Sequence, residues 1–267
     1  MTALLGYLGA VLTGLVLGLL GGGGAAVSIP ILVYAFHIPA TTATGYSLLI
    51  VGLTAAIGTV QNLRSELVRF KALLYCGVPA LISIYITRRF IIHAIPQQLF
   101  SVGNYHITKD HVLLILLSFF MVLVGFNMVK PGGEKKAAHR SYFLIFMAAL
   151  GIGLVVGLVG AGGGFLLIPI LLSYERMEFR NATATSLALV TANSFIGFLG
   201  DLQASTTVDW KFLMLFIGCS IAGVLLGIGV SSKINNQKLR MLFGYFMIGL
   251  GIFVFCKEWY GILVLHD

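Results

Sequence analysis

The sequence predicts an all-α polytopic membrane protein made of two homologous inverted repeats, each a re-entrant or broken helix hairpin followed by three transmembrane helices. Three observations carry that prediction. First, 58% of the 267 residues are hydrophobic and 10% charged, too few charges for the solvated shell of a soluble domain. Second, the chain is a duplication. One constant offset carries Pro30 onto Pro169, Ile31 onto Ile170 and Leu32 onto Leu171, and carries Ala43, Thr44, Ser47 and Leu48 onto Ala182, Thr183, Ser186 and Leu187. After one inserted residue, Val68, Lys71 and Leu73 map onto Val208, Lys211 and Leu213. A repeat of this kind sets the fold before any motif is read. Third, the basic residues fall mainly on one face of the arrangement that these helices define.

The first repeat, residues 1–130, reads as helices over 3–20, 25–36, 41–63, 70–90 and 111–130. The second, 142–267, reads as helices over 142–160, 164–174, 181–200, 210–231 and 238–258. The glycine runs Gly21–Gly24 and Gly162–Gly164 interrupt each repeat after its first helix. Met-Thr-Ala-Leu-Leu lacks the basic stretch and cleavage site of a signal peptide, so the first helix is expected to stay. The segment Phe100 to Asp110 has no counterpart in the second repeat and reads as an external loop. Residues 131–141 form a cytoplasmic linker, because Lys130-Pro-Gly-Gly-Glu-Lys-Lys-Ala-Ala-His-Arg140 is polar, breaks helices and carries four cations.

The short second helix of each repeat decides the topology. About 12 residues rise only about 18 Å, against a hydrocarbon core of about 30 Å, so neither piece crosses alone. If each folds back as a re-entrant hairpin, twelve of the 17 Lys and Arg share one face and Arg88, Arg89, Lys109, Lys211 and Lys257 take the other. If each instead continues the preceding helix, the division is nine against eight. The positive-inside rule favours the hairpin and puts both termini outside the cell inner (plasma) membrane. It also gives an odd number of crossings per repeat, hence inverted topology, with eight full or near-full spans and two short re-entrant helices.

Composition excludes several function classes. The net charge of +8 comes from short clusters between apolar spans, with no aromatic-rich basic face for nucleic acid. Cys76, Cys219 and Cys256 lie in apolar segments and form no C-x-x-C pair. The glycines follow an apolar helix rather than a strand, and no Lys-Ser/Thr completes a phosphate loop. No His or Cys cluster has metal-ligand spacing, so the sequence calls for no metal, no cofactor and no enzyme.

The candidate site is built on the glycine breaks. Glycine in a helix costs about 1 kcal/mol, and broken backbone at membrane depth is tolerated where it is buried in protein or lines a cavity. Gly22, Gly23 and Gly24 in one break and Gly162, Gly163 and Gly164 in the other would offer free amides and the positive ends of the short helices to an anion, without any buried Arg or Lys. The alternative is that the glycines only let helices pack closely. Thr44, Ser47, Thr183 and Ser186 form matching hydroxyl stripes inside the next helix of each repeat, while Thr41 and Asn181 read as N-caps. Ser28 is a one-sided candidate, since its counterpart is Leu167. Asn193 in mid-helix, and Gln61 and Asn62 near the end of the equivalent helix, are either interhelical glue or ligand contacts. Asp201 and Asp209 read as solvated loop charges. The first repeat departs from the second at Ala25 for Gly164 and at Gly45-Tyr46 for Ala184-Thr185, which predicts a site weighted toward the second repeat. On that reading Gly163→Leu abolishes binding and Gly22→Ala is mild.

Gly160-Ala-Gly-Gly-Gly-Phe-Leu-Leu-Ile-Pro169, followed by Ala182-Thr-Ala-Thr-Ser-Leu187 and Val208-Asp-Trp-Lys211, resembles the TauE/SafE family of membrane permeases, the sulfite exporters. The first repeat carries the pattern more loosely, so the resemblance covers nearly the whole chain. It implies a secondary transporter for a small anion, a sulfur oxyanion or organosulfonate such as sulfite, working by alternating access between the broken helices. An anion channel lined by the same re-entrant helices is the alternative. The partners implied are the anion and the lipid bilayer, with no nucleic acid, and the assembly is open between monomer and homodimer.

Overall fold

The computed structural model describes residues 2–102, 105–130, 142–160, 162–174, 177–202, 209–231 and 233–264; the linker over 131–141 lies outside them. Ten helices form among the described residues. They are α1 (Thr2–Leu20), α2 (Gly24–Phe36), α3 (Ala40–Arg64), α4 (Phe70–Ala94), α5 (Lys109–Val129), α6 (Tyr142–Val159), α7 (Gly164–Tyr174), α8 (Phe179–Leu202), α9 (Trp210–Ser231) and α10 (Asn236–Val264). The chain is an all-α polytopic membrane protein. Six of these helices, α3, α4, α5, α8, α9 and α10, are long and apolar enough to cross a bilayer. The 19 residues of α1 and the 18 of α6 rise about 27 Å and come close to doing so. With 13 and 11 residues, α2 and α7 rise less than about 20 Å.

The segment expected as a plain loop over 100–110 contains a β-hairpin, β1 (Gln98–Val102) antiparallel to β2 (Tyr105–Thr108). Phe100, Val102, Tyr105 and Ile107 are residue types enriched in strands.

In the first half the break is a reversal. Gly21 has φ +69°, and beyond it α2 runs back along α1: Gly24 lies against Leu17, Gly9 against Ile31, and the Tyr7 and Phe36 rings meet edge-on at 5.6 Å. The glycines of α1 let α2 approach this closely, since a Cβ on Gly9 would sit 2.9 Å from Ile31 Cδ1. α2 ends at His37, in the left-handed region at φ 55°, with Ile38 N–H donating to Leu32 O at 3.1 Å. Pro39 then starts α3.

The contacts of one half recur in the other with the partners exchanged. Gly14 of α1 packs on Ser220 of α9, and its repeat equivalent Gly153 of α6 packs on Ala80 of α4, the equivalent of Ser220. Gly18 meets Gly227 as Gly157 meets Thr87. The equivalent helices α3 and α8 lie side by side and antiparallel, with Gly45 facing Asp201, Gly52 facing Ser194 and Gly58 facing Leu187. Arg69 N–H, before α4, donates to Thr185 Oγ1 at 3.0 Å, and Asp209 N–H, before α9, donates to Tyr46 Oη at 3.0 Å. Tyr46 thus does by its longer side chain what Thr185 does in the other half.

Leu17, Ile29, Leu117, Met121, Phe165, Ile168 and Phe243 are buried in one core between the halves. Phe70, Leu74, Val78 and Ile82 recur every fourth residue on the outward face of α4 and are exposed, a surface suited to lipid.

Candidate functional site

The two breaks meet backbone to backbone. Gly22 lies on Gly164 so closely that a Cβ on Gly164 would overlap Gly22 Cα, and one on Gly22 would overlap Gly164 C. That contact leaves no room for an anion between these two glycines, and a Cβ on Gly22 forces the backbone to shift. Gly23, by contrast, has φ −75° and a Cβ there would meet side chains at 3.0 Å, which can give way.

The breaks differ in conformation. Around the second, Gly160, Gly162 and Gly163 have φ of 73°, 59° and 79°, whereas Gly21 is the one left-handed glycine of the first. Left-handed backbone is strained for any side chain with a Cβ. Gly163 O accepts from Leu166 N at 3.1 Å and Leu167 N at 3.0 Å, closing the first turn of α7. Beside this turn, Asn193 Nδ2 donates to Gly162 O at 3.4 Å, while Asn193 Oδ1 and Ser194 Oγ are buried and meet no partner among the described residues. Ser194 Oγ stands 2.7 Å from where a Cβ on Gly162 would lie. Buried polar atoms without partners are rare and costly. Ser194 was not among the expected site residues.

The hydroxyl stripes do not face one cavity. Ser47 Oγ and Ser28 Oγ share a hydrogen bond of 2.6 Å, and Ser186 Oγ donates to Gly164 O at 2.9 Å. Thr44 and Thr183 each rest on the left-handed glycine of the opposite half, Gly160 and Gly21. Thr183 also lines a cavity of about 180 Å³ with Gly21, Gln61, Asn62, Ser65 and Arg180.

The expectation of a site without a buried cation is corrected by Arg88. It lies in a π turn over Thr87–Ile91 near the end of α4, a feature frequent at functional sites. Arg88 is 1% exposed; its Nη1 donates to Asp201 Oδ2 at 3.0 Å and to Thr44 Oγ1 at 3.3 Å. Nη2 lies against Gly160, and Nε and Nη2 meet no acceptor among the described residues. Asp201 is therefore an internal counter-ion at the end of α8, not a solvated loop charge. Gly45 makes room for it, since a Cβ there would sit 3.0 Å from Asp201 Oδ2. This explains why Ala184 is replaced by glycine in the first repeat. The sequence did hold a signal: Arg88 stands where the other repeat has Ile228, and Asp201 where it has Asn62, opposite charges introduced together at positions that face each other by symmetry.

A second, open cleft of about 390 Å³ lies at the Arg88 end, lined by His37, Ala40, Asp110, His111 and Glu258. Asp110 accepts from Thr41 N–H at 2.9 Å and Glu258 from Tyr34 Oη at 2.7 Å. Among the described residues no three His, Cys, Asp or Glu come together as metal ligands.

Proteins similar to this chain are described as probable membrane transporters. The family model described as sulfite exporter TauE/SafE matches residues 6–254. A probable membrane transporter protein of Xylella fastidiosa strain Temecula1 is 26% identical over 257 residues, covering 93% of each chain. The probable membrane transporter protein MJ0441 of Methanocaldococcus jannaschii is 24% identical over 264 residues, covering 91% of this chain and 93% of its own. YdhB of Bacillus subtilis, with the same description, is 24% identical over 235 residues, covering 86% and 89%. No solved structure matches the chain.

Proposed function

Because the chain belongs to the sulfite exporter TauE/SafE family, we propose that this membrane transporter is a secondary permease for a small sulfur-containing oxyanion or organosulfonate such as sulfite. The two halves act as inverted repeats of an inner-membrane protein with both termini outside, and they expose the anion alternately to either face. The observation that carries the reading is the second break. Left-handed Gly162 and Gly163 present backbone beside two buried polar atoms, Asn193 Oδ1 and Ser194 Oγ, that meet no partner among the described residues. The Ser194 hydroxyl is a donor of the kind an oxyanion uses, while the Asn193 NH2 is held by Gly162 O. The cavity beside Gly21, with Arg180 and Thr183, supplies an approach from the opposite end.

A carrier rather than a pore is supported by the backbone contact of Gly22 on Gly164 beside the end of that cavity. The test is uptake of radiolabelled sulfite and sulfoacetate into proteoliposomes under imposed gradients. Saturable uptake with competition between anions, lost in Gly163→Leu, is the expected result. Absence of any anion movement under every gradient sinks the permease, and flux that rises linearly without saturation favours the channel.

A further inference from the structure

The two ends of the molecule are built from equivalent positions, and the equivalent spaces are filled differently. At one end Gly18, Gly21, Asn62, Arg180, Thr183, Leu187 and Ile228 line the cavity of about 180 Å³. Their repeat equivalents at the other end are Gly157, Gly160, Asp201, Thr41, Thr44, Leu48 and Arg88. There the space that Ile228 and Asn62 leave open is taken by the Arg88 side chain, packed on Gly160 and Gly200 and tied to Asp201. Leu187 and its equivalent Leu48 are both 1% exposed and pack on the equivalent glycines Gly58 and Gly197, but Leu187 borders the cavity.

We propose that the Arg88–Asp201 pair is the closed gate of that end, and that an incoming oxyanion opens it by taking the place of the Asp201 carboxylate on Arg88. This rests on the anion-permease reading. Asp201 reaches the guanidinium through Nη1, and Arg88 keeps Nε and Nη2, its two-donor edge, without an acceptor among the described residues. That edge matches the two oxygens of a sulfonate or sulfite, two contacts where Asp201 makes one, on Nη1. Asp201 is a placeholder: its charge keeps the buried guanidinium paired while the end is shut, because an unpaired buried cation is costly. The anion supplies the same charge and a second hydrogen bond, which gives it a differential affinity for the open state. The neutral pair Ile228 and Asn62 needs no such partner, so the two ends open by different means.

The test is cysteine accessibility in purified protein, with Cys76, Cys219 and Cys256 replaced by alanine. Leu48→Cys and Leu187→Cys are labelled separately with a thiol reagent. Asp201→Asn, which keeps shape and removes the charge, is expected to speed labelling at Leu48→Cys at least tenfold and to slow it at Leu187→Cys. Arg88→Gln does the same. Sulfoacetate, which does not react with the reagent, is expected to speed Leu48→Cys labelling with Arg88 present and to add nothing in Arg88→Gln. Leu48→Cys rates within twofold in all variants overturn the gate, as does a rise at both positions, which signals a loosened bundle. A gate that responds to the substitutions but not to sulfoacetate overturns the anion step. Labelling needs no flux, so a responsive gate in a protein that moves no anion fails the permease reading and leaves the gate standing.

Discussion

Gly22 packs on Gly164 backbone to backbone, and the starts of the two short helices are held together there without an intervening side chain. Packing of this kind leaves nothing that can rotate aside. Gly22→Ala is therefore expected to destabilise the detergent-solubilised protein by about 2 kcal/mol or more, since overpacking costs about 1–3 kcal/mol even where side chains can adjust. Gly23→Ala should cost less than about 1 kcal/mol. Thermal unfolding of the two variants checks the ranking, and equal losses would contradict the contact.

Ser194 separates fold from function. Its buried hydroxyl has no partner among the described residues, and such a group costs about 1–3 kcal/mol when left unsatisfied. Ser194→Ala is expected to hold or raise stability by about 1 kcal/mol in the absence of anion. In the presence of sulfoacetate the same variant should bind about fivefold more weakly, a loss of about 1 kcal/mol. Thermal shifts with and without the anion read both quantities. Lower stability in both conditions would mark Ser194 as a structural residue.

Gly14 and Gly153 test the equivalence of the halves. A Cβ on Gly14 would overlap Ser220 O, and one on Gly153 would lie 2.6 Å from Ala80 O. Gly14→Val and Gly153→Val should each force apart a helix pair, α1 from α9 and α6 from α4, and lower the melting temperature by similar amounts. A large effect on one side and none on the other would show that the matched contacts do not carry matched energy.

Much of the fold is legible in the chain because it depends on local length and periodicity. Helices of 13 and 11 residues cannot cross a bilayer wherever they are placed, and a run of glycines before each favours a break. The β-hairpin over 98–108 was missed because its strands, of 5 and 4 residues, give too few alternations to stand out from a polar loop. The hydroxyls at Thr44, Ser47, Thr183 and Ser186 were found by the repeat, but their partners were not. A hydroxyl bonds whatever acceptor lies nearest, and neither Ser28 for Ser47 nor Gly164 O for Ser186 is fixed by spacing within one helix.

By itself the sequence determined the membrane class, the duplication, the two glycine breaks and the short helices that follow them. These are properties of single segments, governed by chain length against bilayer thickness and by the conformational freedom of glycine. Only the tertiary structure decided where the charges went. An arginine close to the end of an apolar helix has the same local signature whether it snorkels to water or turns inward. Its fate depends on a carboxylate 113 residues away in the chain. Arg88 turns inward because α3 and α8 lie antiparallel, Gly45 leaves space for Asp201, and Gly160 and Gly200 leave space for the guanidinium. A buried charge is stable only with its counter-ion in place, and that placement belongs to the packing of four helices, not to any one of them.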